Sequence, residues 1–139
     1  MSFLRRRREP ATTPQTGPVR DAIAWGWNGL RWGASLGEFT VRFARADGKT
    51  GGWWKTGAGP EEFCGVVMDA QYAFNSRGEL YLVAFYPGVA DRERLPVAAL
   101  NELGRPDGAN TRWSFGEVEV DVKVAGTVAT MTHRRLATR

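Results

Sequence analysis

The chain has 139 residues, one Cys and one His, and is 42% hydrophobic and 24% charged. That describes one ordinary domain, long enough to bury a core without staples. A single Cys excludes an internal disulfide framework and a cysteine-based zinc site, and a single His excludes any motif that needs two.

The net charge of +4 is concentrated at the ends. Residues 1–20 carry five Arg and one Glu, and residues 131–139 carry three Arg; between them stand 14 acidic and 11 basic residues. A nucleic-acid-binding domain places its basic residues on the folded surface, so a mildly acidic body argues against one. Seventeen glycines and six tryptophans predict short elements, many turns and large aromatic anchors.

Residues 1–20 read as a disordered tail. Met1-Ser2-Phe3-Leu4 precedes Arg5, Arg6, Arg7 and Arg8 with no apolar run behind them, so no secretory signal is expected. No stretch approaches the length of a membrane span, and the lone Cys64 suits a reducing compartment, so the expected location is the cytoplasm. Residues 9–20 hold three Pro and three Thr, a linker composition. The four arginines are read as a solvated charge run. The alternative is electrostatic attachment to nucleic acid or an anionic membrane, at roughly 1 kcal/mol per residue.

Residues 21–135 read as a single α+β domain in two similar halves. Trp25 to Gly33, three tryptophans among glycines, predicts an irregular or extended entry whose rings cover one end of the core. Ser35 and Glu38 have the spacing of a capping box, and Leu36, Phe39 and Phe43 then share a helical face. Phe39, Val41 and Phe43 also alternate as in a strand, but the cap favours a short helix. Trp53-Trp54-Lys55 predicts a short strand between glycine-rich loops, and Glu61-Glu62-Phe63 a single helical turn. Val66, Met68, Ala70, Tyr72 and Phe74 alternate along a strand, Asn75 to Gly78 forms a hairpin turn, and the apolar run Leu80 to Tyr86 reads as a central strand covered on both faces.

The second half predicts a helix from Asp91 to Leu103, with Leu95, Ala99, Leu100 and Leu103 on one face, Pro96 in its first turn and Gly104 at its end. Thr111 to Phe115 is a strand. Val118, Val120, Val122 and Val124 alternate with Glu117, Glu119, Asp121 and Lys123, the strongest strand pattern in the chain, and Thr127 to His133 returns beside it. Residues 136–139 read as a C-terminal tail. The expected architecture is an antiparallel sheet with two helices on one face, built from two helix-then-three-strand halves.

Leu30-Arg31-Trp32-Gly33-Ala34-Ser35 leads into the first helix, and Leu103-Gly104-Arg105-Pro106-Asp107 leaves the second. In this the chain resembles the helix-plus-meander modules of the beta-lactamase inhibitor protein fold, and the small lipoprotein of the outer-membrane barrel assembly machinery. The resemblance covers about residues 28–135 as two tandem modules. It implies binding to another protein, without catalysis. Such relatives are usually exported, and the signal and lipid-attachment cysteine are missing here, which counts against an envelope role.

No catalytic constellation emerges. Glu117, Glu119 and Asp121 share one side of a strand and could hold a hard cation, but nothing polar converges on them and a solvated face accounts for them better. Cys64 beside Glu61-Glu62-Phe63 has no neighbouring cation to activate it and reads as a small buried apolar residue; a pairing with His133 is the rival. Gly48-Lys49-Thr50 lacks the first glycine of a phosphate loop, since Phe43 stands there. Trp53 and Trp54 are adjacent, so a strand turns them to opposite faces, one toward the core and one outward.

The expected function is a cytoplasmic protein-interaction module without cofactor, of the kind used by immunity or inhibitor proteins. Its contacts are expected at Trp53 and Trp54 and at the face of Glu117, Glu119 and Asp121. The alternatives are an adaptor attached through Arg5–Arg8, and an enzyme with a cleft near Trp53 and Trp54.

Overall fold

The computed structural model describes residues 16–48, 52–107, 111–123 and 125–139. In chain order they form α1 (Thr16–Trp25), β1 (Gly26–Trp27), β2 (Leu30–Arg31), α2 (Leu36–Arg42), β3 (Asp47–Gly48), β4 (Trp53–Lys55), β5 (Glu61–Phe63), β6 (Val66–Phe74) and β7 (Leu80–Tyr86). A single 3-10 turn, Val89–Asp91, leads to α3 (Arg94–Leu103), β8 (Arg112–Phe115), β9 (Val118–Val122), β10 (Ala129–His133) and α4 (Arg134–Ala137). The fold is α+β with an antiparallel sheet.

The sheet runs β3-β4-β6-β7-β10-β9-β8, with β5 paired to the start of β6. Each half thus proceeds from one edge to the middle, and the halves meet where β7 pairs with β10. Register across this join is fixed by side-chain parity: Tyr72, Val83, Met131, Val120 and Trp113 stand opposite one another on five strands. Each is at most 1% exposed. Alternation is interrupted once. Ala73 pairs with Leu82 but Phe74 pairs with Leu80, so Tyr81 is an extra residue in a β-bulge. The bulge resets the parity and lets Leu80 point into the core, where it is fully buried.

All four helices contribute to one core cluster: Ile23 from α1, Phe39 from α2, Leu95, Ala99 and Leu103 from α3, and Leu136 from α4. The capping box forms as expected. The Glu38 N–H donates to Ser35 Oγ at 3.0 Å, and the Ser35 N–H donates to the Glu38 carboxylate at 3.0 Å. Helix α2 then drives the Phe39 ring between Tyr72, Phe74 and Trp54, with centroids 5.1, 5.4 and 6.2 Å away.

Several expectations need correction. The tail does not extend to residue 20, because α1 begins at Thr16; Gly17 and Pro18 fall in its first turn, where a missing N–H costs little, and Ile23 anchors the helix. Residues 136–139 are no free tail. Leu136 is 8% exposed, Arg139 pairs with Glu79 at 3.5 Å, and the Ser76 hydroxyl donates to the Arg139 carbonyl. Glu61–Phe63 is a strand, not a helical turn, folded back onto β6 through Cys64-Gly65, both with positive φ. Residues 26–31 form a hairpin around Asn28-Gly29, also both at positive φ, the conformation a two-residue turn between strands requires. Of its flanking rings Trp32 is buried, whereas Trp25 is 56% exposed and stands outside the core cluster. Leu100 is 41% exposed, because successive helical residues rotate by about 100° and place it on the flank of the Leu95–Ala99–Leu103 stripe. Val124, Lys49 and Thr50 lie outside the described residues.

Two predictions follow from the packing. Val120→Asp buries an unpaired carboxylate at a fully enclosed position and should cost about 4 kcal/mol or more, a large part of a typical stability of roughly 5–15 kcal/mol. Glu119→Lys, one residue away and facing out, should cost about 1 kcal/mol or less. Urea titration separates them; equal losses would contradict the alternation. The second concerns pH. The neutral His133 ring caps α4, its Nδ1 accepting the Leu136 N–H at 3.3 Å. Burial holds the His133 pKa below its ordinary value of 6.5; Glu117 opposes this, and Arg135 and Arg134 reinforce it. The unfolded chain therefore takes up the proton first, so this stability is present above pH 6.5 and is lost as pH falls through the folded value. Glu38 and Glu79, both held below the ordinary 4.5, act only at lower pH. Melting temperature should fall between pH 7 and 5, and His133→Asn, which keeps a capping oxygen, should flatten that slope.

Candidate functional site

Because every helix packs on one side, the other side of the sheet is open among the described residues. Register defines its surface. One row runs Trp53, Ala73, Leu82, Thr132, Glu119, Ser114 across β4, β6, β7, β10, β9 and β8. The next runs Gln71, Ala84, Thr130, Asp121, Arg112. The surface is apolar at the β4 side, hydroxylated in the middle and charged toward β8.

The structure separates Trp53 from Trp54 by strand parity. Trp54 stands opposite Tyr72 and turns to the helix side, where it packs against the core edge-on to Phe39. Its ring also lies over Gly48 in β3: a Cβ there would come within 2.9 Å of the indole, so this edge strand needs glycine beneath the ring. Trp53 stands opposite Ala73 and faces outward, half-buried.

The acidic residues are also divided. Glu119 and Asp121 point outward from β9, and Arg112 binds both, at 2.8 Å to Glu119 and 3.5 Å to Asp121. Lys123 approaches Asp121 at 3.9 Å. The pair is thus charge-balanced by its own neighbours. Glu117 stands apart in the turn before β9; its carbonyl accepts the Arg134 N–H at 2.9 Å. Trp53 and Glu119 lie four strands apart, roughly 19 Å at the usual strand spacing. These residues share a face but not a pocket, a geometry suited to a broad contact and not to enclosing a small molecule. Among the described residues no three His, Cys, Asp or Glu side chains converge as metal ligands.

Sequence reasoning missed Leu82, Ala84, Thr130 and Thr132. It read β7 as covered on both faces because the run is apolar throughout. Helices cover one face only, and on the other the small side chains of Ala84 and Ala73 are buried at 1% and 7% exposure.

Two further groups have been settled by their surroundings. Glu61 accepts the Trp27 indole N–H and the Tyr72 hydroxyl, each at 2.8 Å, and the Asn28 amide donates to that hydroxyl at 3.1 Å. Burial, and then Glu61, push the Tyr72 pKa far up, so the phenol stays a donor. This closed network fastens the β1–β2 hairpin to β5 and β6. Cys64 is half-buried; burial and the nearby Glu102 push its thiol up to about 12, the reverse of activation. His133 is engaged with Trp32 and the Leu136 amide.

The tail arginines Arg5–Arg8 lie outside the described residues. No described helix is long and apolar enough to cross a membrane. Compared with protein-family models, characterised proteins and solved structures, the chain matches none of them.

Proposed function

We propose that this chain is a cytoplasmic, non-enzymatic protein-interaction module that receives its partner on the open sheet face. The observation that carries the reading is the surface itself: Trp53 and Leu82 on the β4 side, and the Arg112–Glu119–Asp121 cluster on the β8 side, of one face free of helices among the described residues. Aromatic anchors beside balanced, hydrogen-bonding charge are the composition of protein interfaces. Mixed charge suits a folded protein with an apolar patch and polar surroundings, whereas a polyanion calls for a basic face. The resemblance to inhibitor-type modules implies the same kind of role, since proteins of that kind bind other proteins. The free Cys64 suits a reducing compartment.

The test compares the adjacent tryptophans against a purified partner obtained by affinity capture. Trp53→Ala should weaken binding by about 2 kcal/mol, close to thirtyfold in Kd, and change unfolding free energy by less than about 1 kcal/mol. Trp54→Ala should destabilise the fold by about 2–3 kcal/mol and leave the affinity of the folded fraction unchanged. Loss of binding through Trp54 alone, with Trp53 silent, would move the contact to the helix side.

A further inference from the structure

A groove of about 350 Å³ opens on the helix side, between α1, α3 and the β5–β6 turn. Val19, Ala22 and Trp27 present its accessible apolar surface over a floor of the buried Ile23, Phe63 and Leu103, and Cys64 lies within it. Two exposed carboxylates, Glu62 and Glu102, line it as well. Neither has an ion-pair partner among the described residues. Glu38, Glu79, Asp91, Glu119 and Asp121 are paired, whereas Asp21, Asp69, Glu93, Asp107 and Glu117 share the unpaired state among the described residues; the groove differs in joining two such carboxylates to an apolar lining. The groove thus offers an apolar trough with unbalanced negative charge.

We propose that this groove is the docking site of the chain's own N-terminal segment, Phe3-Leu4 entering the trough and Arg5–Arg8 meeting Glu62 and Glu102. The segment carries the matching chemistry in the matching order, a large apolar pair followed by four cations. It is also tethered beside the groove. Residue Val19 lines the wall only three positions after Thr16, a rise of about 5 Å along α1. The stretch from Leu4 to Thr16 extends to about 40 Å, ample to turn back over its own helix. A tether that short supplies an effective concentration in the millimolar range, so a weak contact suffices. The occupied groove lies on the opposite side of the sheet from the face proposed above, so the two readings stand or fall separately.

Cys64 is the chain's single thiol and lies inside the groove, which makes it the reporter. The measurement is the rate of Cys64 alkylation by N-ethylmaleimide at pH 8.5 and low ionic strength, on three full-length chains. They are the native chain, Phe3→Ser with Leu4→Ser, and a chain with Arg5, Arg6, Arg7 and Arg8 all changed to Ser. The rim carboxylates stay in place, since Glu102 itself raises the thiol pKa. A segment bound nine-tenths of the time slows modification about tenfold, so both variants should react about tenfold faster than the native chain. Salt near 1 M, which shortens the screening length to about 3 Å, should bring the native rate toward the variants. Equal rates in all three chains would overturn the proposal. A native rate that falls with rising protein concentration would overturn it too, by showing that the segment of a second copy fills the groove.

Discussion

The pairing of β7 with β10 is the contact on which the molecule depends. Each half alone is a helix and a few strands, with one side of its innermost strand unpaired. Joining Val83 to Met131 and Phe85 to Ala129 closes both at once. It also aligns two separately built apolar faces into a single layer, from Tyr72 to Trp113. A slip of one residue in this ladder would turn Met131 outward and Thr130 and Thr132 inward, so parity across the join is enforced by the whole core. The Tyr81 bulge works within that constraint. It spends one residue to bring Leu80 under α2 while leaving the rest of the ladder in phase.

Much of this layout was legible locally. The Ser35–Glu38 cap, the Val118–Val122 alternation and the Asn75–Gly78 turn are short-range devices whose chemistry is complete within a few residues. The fold class followed from them, whereas the expected plan of two helices, each followed by three strands, gave way to four helices and the additional strands β1, β2, β3 and β5. What escaped was decided by tertiary contact. Helix α1 has proline and glycine at its start and gains its stability from Ile23 against the core, a partner far away in sequence. Strand β5 exists because Val66–Met68 offers it a ladder. Residues Asn28-Gly29 are the exception: the turn signal was present in the sequence and the tryptophans around it drew the reading elsewhere.

The candidate face shows the same division. That Trp53 and Trp54 must face opposite ways is a property of any strand. Which of them faces out is fixed by pairing with Tyr72 and Ala73, and cannot be read from the two residues themselves. The outward acids were likewise legible by alternation, but their neutralisation by Arg112 was not, because β8 meets β9 only in the folded sheet. The apolar half of the face was hidden in β7, whose hydrophobic run continues onto the outer face at Leu82 and Ala84 as well as toward the helices.

The sheet's borders have a consequence of their own. Strand β3 is two residues long and β5 three, so the margin next to β6 is made of short pieces. At the opposite margin the outward carbonyl of Arg112 is already taken by the Asp107 N–H at 2.7 Å, and α1 packs against β8. Among the described residues neither border presents a long row of open amides and carbonyls on which another chain could extend the ladder. Short edge strands and an occupied edge carbonyl disfavour growth by strand addition, the route toward fibrils and runaway oligomers, at both margins.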